Sequence, residues 1–323
     1  MKANKPLAES SRIYSNGKLL LTGEYLVLDG ATSLAVPTKF GQDLVITKIN
    51  EPQLIWGSFT NTGECWFEAS FNLPKLRLTS ATFNSDKDGG ADMIAETLQK
   101  ILKEARNLNP DFLANNQGYI VKTHLTFPQN WGLGSSSTLI NNIASWAKVN
   151  PFELLWNAFS GSGYDIACAK NNTPIFYSVD DKNPSIQITN FNPSFKDDLF
   201  FVYLNQKQNS REGIKRYREH IAKASSNEIQ KLINTISDLT ISFSKASSTN
   251  DLNKIIIEHE QIISNIVQLQ PVKERLFSDY FGEVKSLGAW GGDFVLVTGN
   301  EDTPTYFNEK GFDTILPYSK MTL

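Results

Sequence analysis

Apolar positions follow two rhythms along this chain. In the first third they come in short runs or in alternation, the spacing of strands. In the last third they recur at helical spacing. Residues 12–14 begin a strand. The short runs 19–21 and 26–28, bounded by glycines, read as strands, or as one strand with a tight continuation. Residues 31–36 and 43–49 continue the β pattern, with Pro37 and Gly41 as turn residues between them. Residues 53–59 and 64–71 form a hairpin around the TNTG of residues 60–63, and residues 79–90 are a polar loop. Met93, Ile94, Leu98, Ile101, Leu102, Ala105 and Leu108 predict a helix over residues 91–108, stopped by Asn109 and Pro110.

Residues 119–127 read as a strand and residues 139–149 as a helix. A second helix, 152–159, has Asn150 as cap and Pro151 at its first position. Residues 174–179 return as a strand. The polar stretch 180–195, with two prolines, is placed as a domain boundary. Beyond it come a strand at 199–204 and a helix at 211–224 capped by Ser210. Amphipathic helices follow at 226–244 and 251–269, then strands at 294–298 and 314–318. The expected organisation is two α+β domains, 1–190 and 191–323, with the last strand free to return to the first domain.

Composition narrows the chemistry. The 323 residues carry a net charge of −3, with no basic domain or stripe, so nucleic acid is not the expected partner. Positive charge for an anionic ligand must be local. Cys65 and Cys168 lie far apart in apolar surroundings and read as buried thiols in a reducing compartment. With no apolar leader and no long apolar run, a cytoplasmic protein without a membrane partner is expected. The histidines at 124, 220 and 259 are too dispersed for a metal cluster.

Three stretches carry candidate chemistry. Residues 128–138, PQNWGLGSSST, join a strand to a helix through Gly132 and Gly134. Such a loop presents unpaired N–H groups at the positive end of a helix dipole, a site for phosphate. The plainer reading is a turn with Ser135 or Ser136 as helix cap. Residues 160–169, SGSGYDIACA, set Asp165 among small residues. It is read either as a helix cap or as a general base or metal-facing carboxylate. Residues 17–30, GKLLLTGEYLVLDG, carry Lys18 and Glu24. These are a solvated edge pair, or Lys18 faces a phosphate while Glu24 holds local geometry. Further on, the helix start with Lys207, Ser210 and Arg211 could hold an anionic group.

Taken in order with LGAWGGDF at residues 287–294, these stretches resemble the motifs of the GHMP small-molecule kinases (galacto-, homoserine, mevalonate and phosphomevalonate kinases). The resemblance spans residues 15 to 298. Tyr25 after Glu24, the GSGYD run and Asp293 look more like the mevalonate and phosphomevalonate branch. It implies an N-terminal ribosomal-protein-S5-like domain, a C-terminal ferredoxin-like domain, and ATP and substrate in a cleft. The implied cofactors are ATP and Mg²⁺. Pro128, Gly132, Leu133, Gly134, Ser135, Ser136 and Ser137 would bind the phosphates, and Ser136 would face the metal. Asp165 would be the catalytic aspartate, kept ionised by Lys18 beside it. Glu24, Lys207, Ser210, Arg211, Gly288, Ala289 and Gly291 would line the acceptor, and Glu153 is the acidic candidate for a second metal ligand.

Trp290 departs from the family's small residue, and three serines and a threonine replace its usual two serines and alanines. Three other readings compete. A nucleotide P-loop lacks its GxxxxGK[ST]. A serine acyl enzyme rests on SxxK at residues 145–148 alone, without KTG or SDN. The third is a catalytically silent ATP or metabolite sensor. The expected activity is phosphorylation of a small anionic metabolite, mevalonate or 5-phosphomevalonate first, a sugar or homoserine second. Monomer and homodimer both stay open.

Overall fold

The computed structural model describes residues 10–83, 90–206, 210–288, 290 and 292–323. It is a mixed α/β fold with a large sheet and a smaller one. The chain divides into two compact units. One gathers Met1–Ser15, Phe40–Gln129 and Gly134–Gly161, the other Asn16–Lys39, Asn130–Leu133 and Ser162–Leu323.

The first unit begins with the start of β1 (Ser10–Thr22) and the later part of β2 (Ser33–Ile49). It continues with β3 (Gln53–Phe59), β4 (Cys65–Asn72), β5 (Arg77–Phe83) and β6 (Gly118–Leu125). The order is β5-β4-β3-β6-β2, antiparallel except for the parallel pair β3 and β6. Three helices join it: α1 (Gly90–Leu108), α2 (Ser135–Ala147) and α3 (Pro151–Ala158). Helix α1 buries Ala95, Leu98, Ile101, Leu102 and Ala105 as one stripe. Met93, expected on that stripe, is two-thirds exposed. Asn150 caps α3, its side chain accepting from Phe152 N at 2.9 Å, with Pro151 in the first turn as expected.

In the second unit, β7 (Ile175–Asp180) pairs with the start of β2, and β8 (Asn183–Ile188) pairs with β7. The smaller sheet has the order β10 (Val284–Ser286), β11 (Phe294–Thr298), β9 (Leu199–Tyr203), β12 (Ile315–Pro317), all antiparallel. Strands β9 and β11 are buried along their whole length, which explains their unbroken apolar runs. Its helices are α4 (Tyr164–Lys170), α5 (Ser210–Ile221), α6 (Ser226–Ser244), α7 (Thr249–Val267), α8 (Val272–Leu276), α9 (Thr303–Glu309) and α10 (Tyr318–Met321).

Three local expectations are corrected, and one hairpin appears that the sequence pattern did not indicate. Residues 26–28 form a 3-10 turn, Leu26–Asp29, instead of a strand, because Gly23 (φ 87°) and Tyr25 (φ 64°) turn the chain first. Pro37 and Gly41 do not interrupt β2. Gly41 is where Ser15 passes, and a Cβ there would lie 2.2 Å from its carbonyl oxygen. Part of the polar stretch 79–90 is strand β5, held by pairing to β4. Within 180–195, Asp181 (φ 39°) and Lys182 (φ 65°) build a two-residue turn, so β7 and β8 form a hairpin.

Candidate active site

After β6 the chain makes a 3-10 turn, Gln129–Trp131, and then bends at Gly132 (φ 69°) and Gly134 (φ 90°). Both angles are left-handed, a region glycine enters without a Cβ penalty. Gly134, not a serine, is the N-cap of α2, and no side chain caps that end. The first-turn N–H groups of Ser135, Ser136 and Ser137 therefore have no acceptor within the helix, and they sit at its positive pole. Ser136 is exposed, and Ser137 is buried with its hydroxyl on Gly134 O at 2.8 Å. Polar pairs anchor the helix in its own unit: Thr138 Oγ1 donates to Gln42 Oε1 at 2.6 Å, and Ser15 Oγ to Asn142 Oδ1 at 2.7 Å.

In the second unit the strand β1 passes the loop Asn130–Leu133. Lys18 N donates to Leu133 O, and Lys18 Nζ to Gly132 O, both at 3.0 Å. The same ammonium stands 5.5 Å from the centre of the Tyr164 ring. Asp165 follows in the first turn of α4, whose N-cap is Gly163 (φ 88°). Its Oδ1 accepts from Ile166 N at 3.1 Å. Burial alone would lower the Lys18 pKa, but Tyr164 and Asp165 outweigh it and the net shift is upward. Burial also pushes up the thiol of Cys168 and the phenol of Tyr177, with Asp165 adding to each. Both therefore stay neutral around a charged lysine and its aspartate.

Asp293 closes this group from the third motif. It occupies φ 52°, and its carboxylate packs on Gly132: a Cβ on Gly132 would meet Oδ2 at 2.4 Å. Its backbone is fixed by Asp293 N to Gln206 O at 2.9 Å and by Leu204 N to Asp293 O at 2.8 Å. Asp293 also adds to the upward shift on Lys18.

No model of a known family and no curated protein sequence matches this chain. Solved structures do. The mevalonate kinase of Methanococcus jannaschii superposes with a TM-score of 0.66, at 15% identity over 96% of this chain and 98% of that one. The phosphomevalonate kinase of Streptococcus pneumoniae, in complex with phosphomevalonate and AMPPNP, gives 0.63 at 14% identity, over 97% and 98%. The galactokinase of Lactococcus lactis, complexed with galactose, gives 0.64 at 13% identity, over 93% and 88%. The chain shares its fold with these three proteins.

Within that fold, the structure brings Lys18, Gly132, Leu133 and Asp165 together in one unit. It adds Tyr164 and Asp293, whose roles the motifs did not disclose. Pro128 is half-buried ahead of the loop. Gly288 (φ 58°) has open space beside it. Arg211 lies exposed in the first turn of α5, the helix that begins at Ser210. Lys207, Ala289 and Gly291 lie outside the described residues. Glu24 is fully buried, with Oε1 2.6 Å from Lys285 Nζ, so no atom of it faces a solute. The geometry-holding role is the one its position fits. Glu153 is exposed on α3.

Among the described residues no three His, Cys, Asp or Glu side chains converge as a metal cage. Magnesium on nucleotides is held through few protein ligands plus phosphates and water, and an exposed hydroxyl such as Ser136 at a helix start fits that donor set. No helix among the described residues is long and apolar enough to cross a membrane.

Proposed function

We propose that this protein is an ATP-dependent phosphotransferase acting on a small anionic metabolite, mevalonate or 5-phosphomevalonate. The observation that carries this reading is the Lys18 ammonium, seated on the Gly132 carbonyl of the glycine loop and held charged beside Asp165. Phosphoryl transfer asks a protein for positioning and charge neutralisation more than for covalent chemistry. The N–H groups of Ser135, Ser136 and Ser137 cradle the ATP phosphates, with Gly132, Leu133 and Gly134 shaping the approach. Lys18 meets the charge that develops on the transferring group. Asp165 accepts the proton of an acceptor hydroxyl, or orients an acceptor that is already ionised. Ser136, and in the fuller reading Glu153, would hold the magnesium ion, which when bound neutralises phosphate charge.

The acceptor lies with Ser210 and Arg211 at the start of α5 and with Gly288 of the third motif. Lys207, Ala289 and Gly291 belong to the same proposal. We read the larger sheet with its helices as the ribosomal-protein-S5-like half and the smaller as the ferredoxin-like half of a cytoplasmic enzyme. A sugar or homoserine is the second acceptor class. The test is ADP release with mevalonate, phosphomevalonate, homoserine and hexoses as acceptors. Release that depends on one acceptor is expected. ATP binding without release for any of them would replace the kinase by a sensor.

A further inference from the structure

Within the second unit, the turn of the first motif, helix α7, strand β10 and Trp290 of the third glycine-rich stretch meet in a solvent-inaccessible cluster. Glu24, His259, Lys285 and Trp290 are fully buried and Glu260 nearly so. Lys285 Nζ lies 2.6 Å from Glu24 Oε1, 3.2 Å from Glu260 Oε1 and 2.6 Å from Ser286 O. Glu260 accepts from Ser286 Oγ at 2.7 Å and from Trp290 Nε1 at 3.2 Å. Glu24 Oε2 stands 3.4 Å from His259 Nε2, and that nitrogen accepts Gly23 N–H at 3.2 Å. Glu24 Oε2 itself has no hydrogen-bond partner, nor has His259 Nδ1.

The charges do not balance if every group takes its usual form. Lys285 and Glu260 cancel. His259 accepts at Nε2, so its proton is on Nδ1 and the ring is neutral. An ionised Glu24 would then leave one net negative charge among fully buried side chains, a costly arrangement. It would also set two lone pairs face to face. One proton on Glu24 Oε2 removes both problems: the hydroxyl shares the His259 Nε2 lone pair with Gly23 N–H, while Oε1 keeps the Lys285 ammonium.

We propose that Glu24 is carried as its neutral acid, and that this proton pins the first-motif turn to α7 and, through Lys285 and Glu260, to Trp290 of the third loop. Glu24 is a positioning residue, since it touches no solute. Burial pushes its carboxyl up to about 7; Lys285 opposes the rise and Glu260 adds to it. Burial, with Lys285, holds His259 well below its ordinary value. Tyr25, alongside, is pushed up by burial and then by Glu24, and stays neutral. The inference does not rest on the kinase reading, because its tests need no turnover.

Glu24→Gln is the isosteric copy of the neutral acid. The folded carboxyl titrates above its unfolded value, so the stability that Glu24 contributes to the wild type is lost as pH rises from about 4.5 to about 7. The glutamine does not. Glu24→Gln is expected to fold and to melt at or above the wild type at neutral pH. Its Tm advantage should grow across that window and level off above it. An ionised Glu24 demands the reverse: the glutamine strands Lys285, melts well below the wild type, and falls further behind as pH rises. If the variant does not fold, NMR of the labelled wild type decides. A neutral Glu24 carboxyl resonance below neutrality and a neutral His259 ring protonated at Nδ1 are expected. A carboxylate resonance, or an imidazolium signal from His259, overturns the proposal.

Discussion

Asp293 sits in a backbone conformation that glycine enters freely, and its carboxylate presses on Gly132, itself left-handed. Gly132→Ala should therefore cost about 1–2 kcal/mol from the backbone alone, with a steric term added. Asp293→Gly in the same chain should recover the steric part, on top of the relief it brings to its own left-handed backbone whether or not Gly132 is changed. A double-mutant cycle in urea measures the coupling, and additive effects would show that the contact is not felt. At the reaction itself, Asp165→Asn should lower kcat about 10²–10⁴-fold for a hydroxyl acceptor while ATP binding survives. A much smaller loss is expected for a phosphate acceptor, whose attacking oxygen needs no base. Near-normal turnover on a hydroxyl acceptor would remove Asp165 from the chemistry. Lys18 and Asp165 were legible in the sequence because each sits inside a glycine-bounded motif. The contacts of Tyr164 and Asp293 were not, although both residues stood inside motifs, since they approach Lys18 and Gly132 across long sequence separations. Glu24 was legible as a charge, but its burial depends on Lys285, which no motif marks.

Helix α5 shows how an element is held by what leans on it. Gly213 lies at the end of its first turn, where a solvent-facing alanine would be favoured by about 1 kcal/mol. Here a Cβ would lie 2.3 Å from the Tyr25 hydroxyl oxygen, on the residue that opens the 3-10 turn. Gly213→Ala should lower Tm instead of raising it, and Tyr25→Phe should return part of the loss. A simple gain in Tm for Gly213→Ala would mean that Tyr25 moves freely. Helical periodicity placed α1, α6 and α7 well, because each buries one stripe. Short apolar runs misled where φ, not hydropathy, decides. Residues 26–28 look like a strand until Tyr25 turns left-handed, and the β7–β8 hairpin turns at Asp181 and Lys182 without any glycine.

Across the whole molecule, two buried groups set opposing responses to pH. Below 6.5, its ordinary value, His259 takes up a proton in the unfolded chain that the folded site refuses, so stability falls with acid. Between about 4.5 and about 7, Glu24 keeps in the fold a proton the unfolded chain has lost, so stability rises with acid. The two slopes offset each other in the wild type where the windows overlap, between about 4.5 and 6.5. Removing the Glu24 titration by Glu24→Gln should expose the histidine slope, about 1.4 kcal/mol per pH unit, in urea unfolding at stepped pH. Parallel wild-type and variant curves would show that the two groups do not share this balance.

The path of the chain has a practical result of its own. It passes from one compact unit to the other after Ser15, Lys39, Gln129, Leu133 and Gly161. Each unit is thus assembled from three separate stretches, and no single cut releases either one intact. Truncation series will yield fragments that lack strands of their own sheet. A gene chimera that keeps both units whole must exchange all three stretches of one unit at once, including the four residues Asn130–Leu133 that carry Gly132.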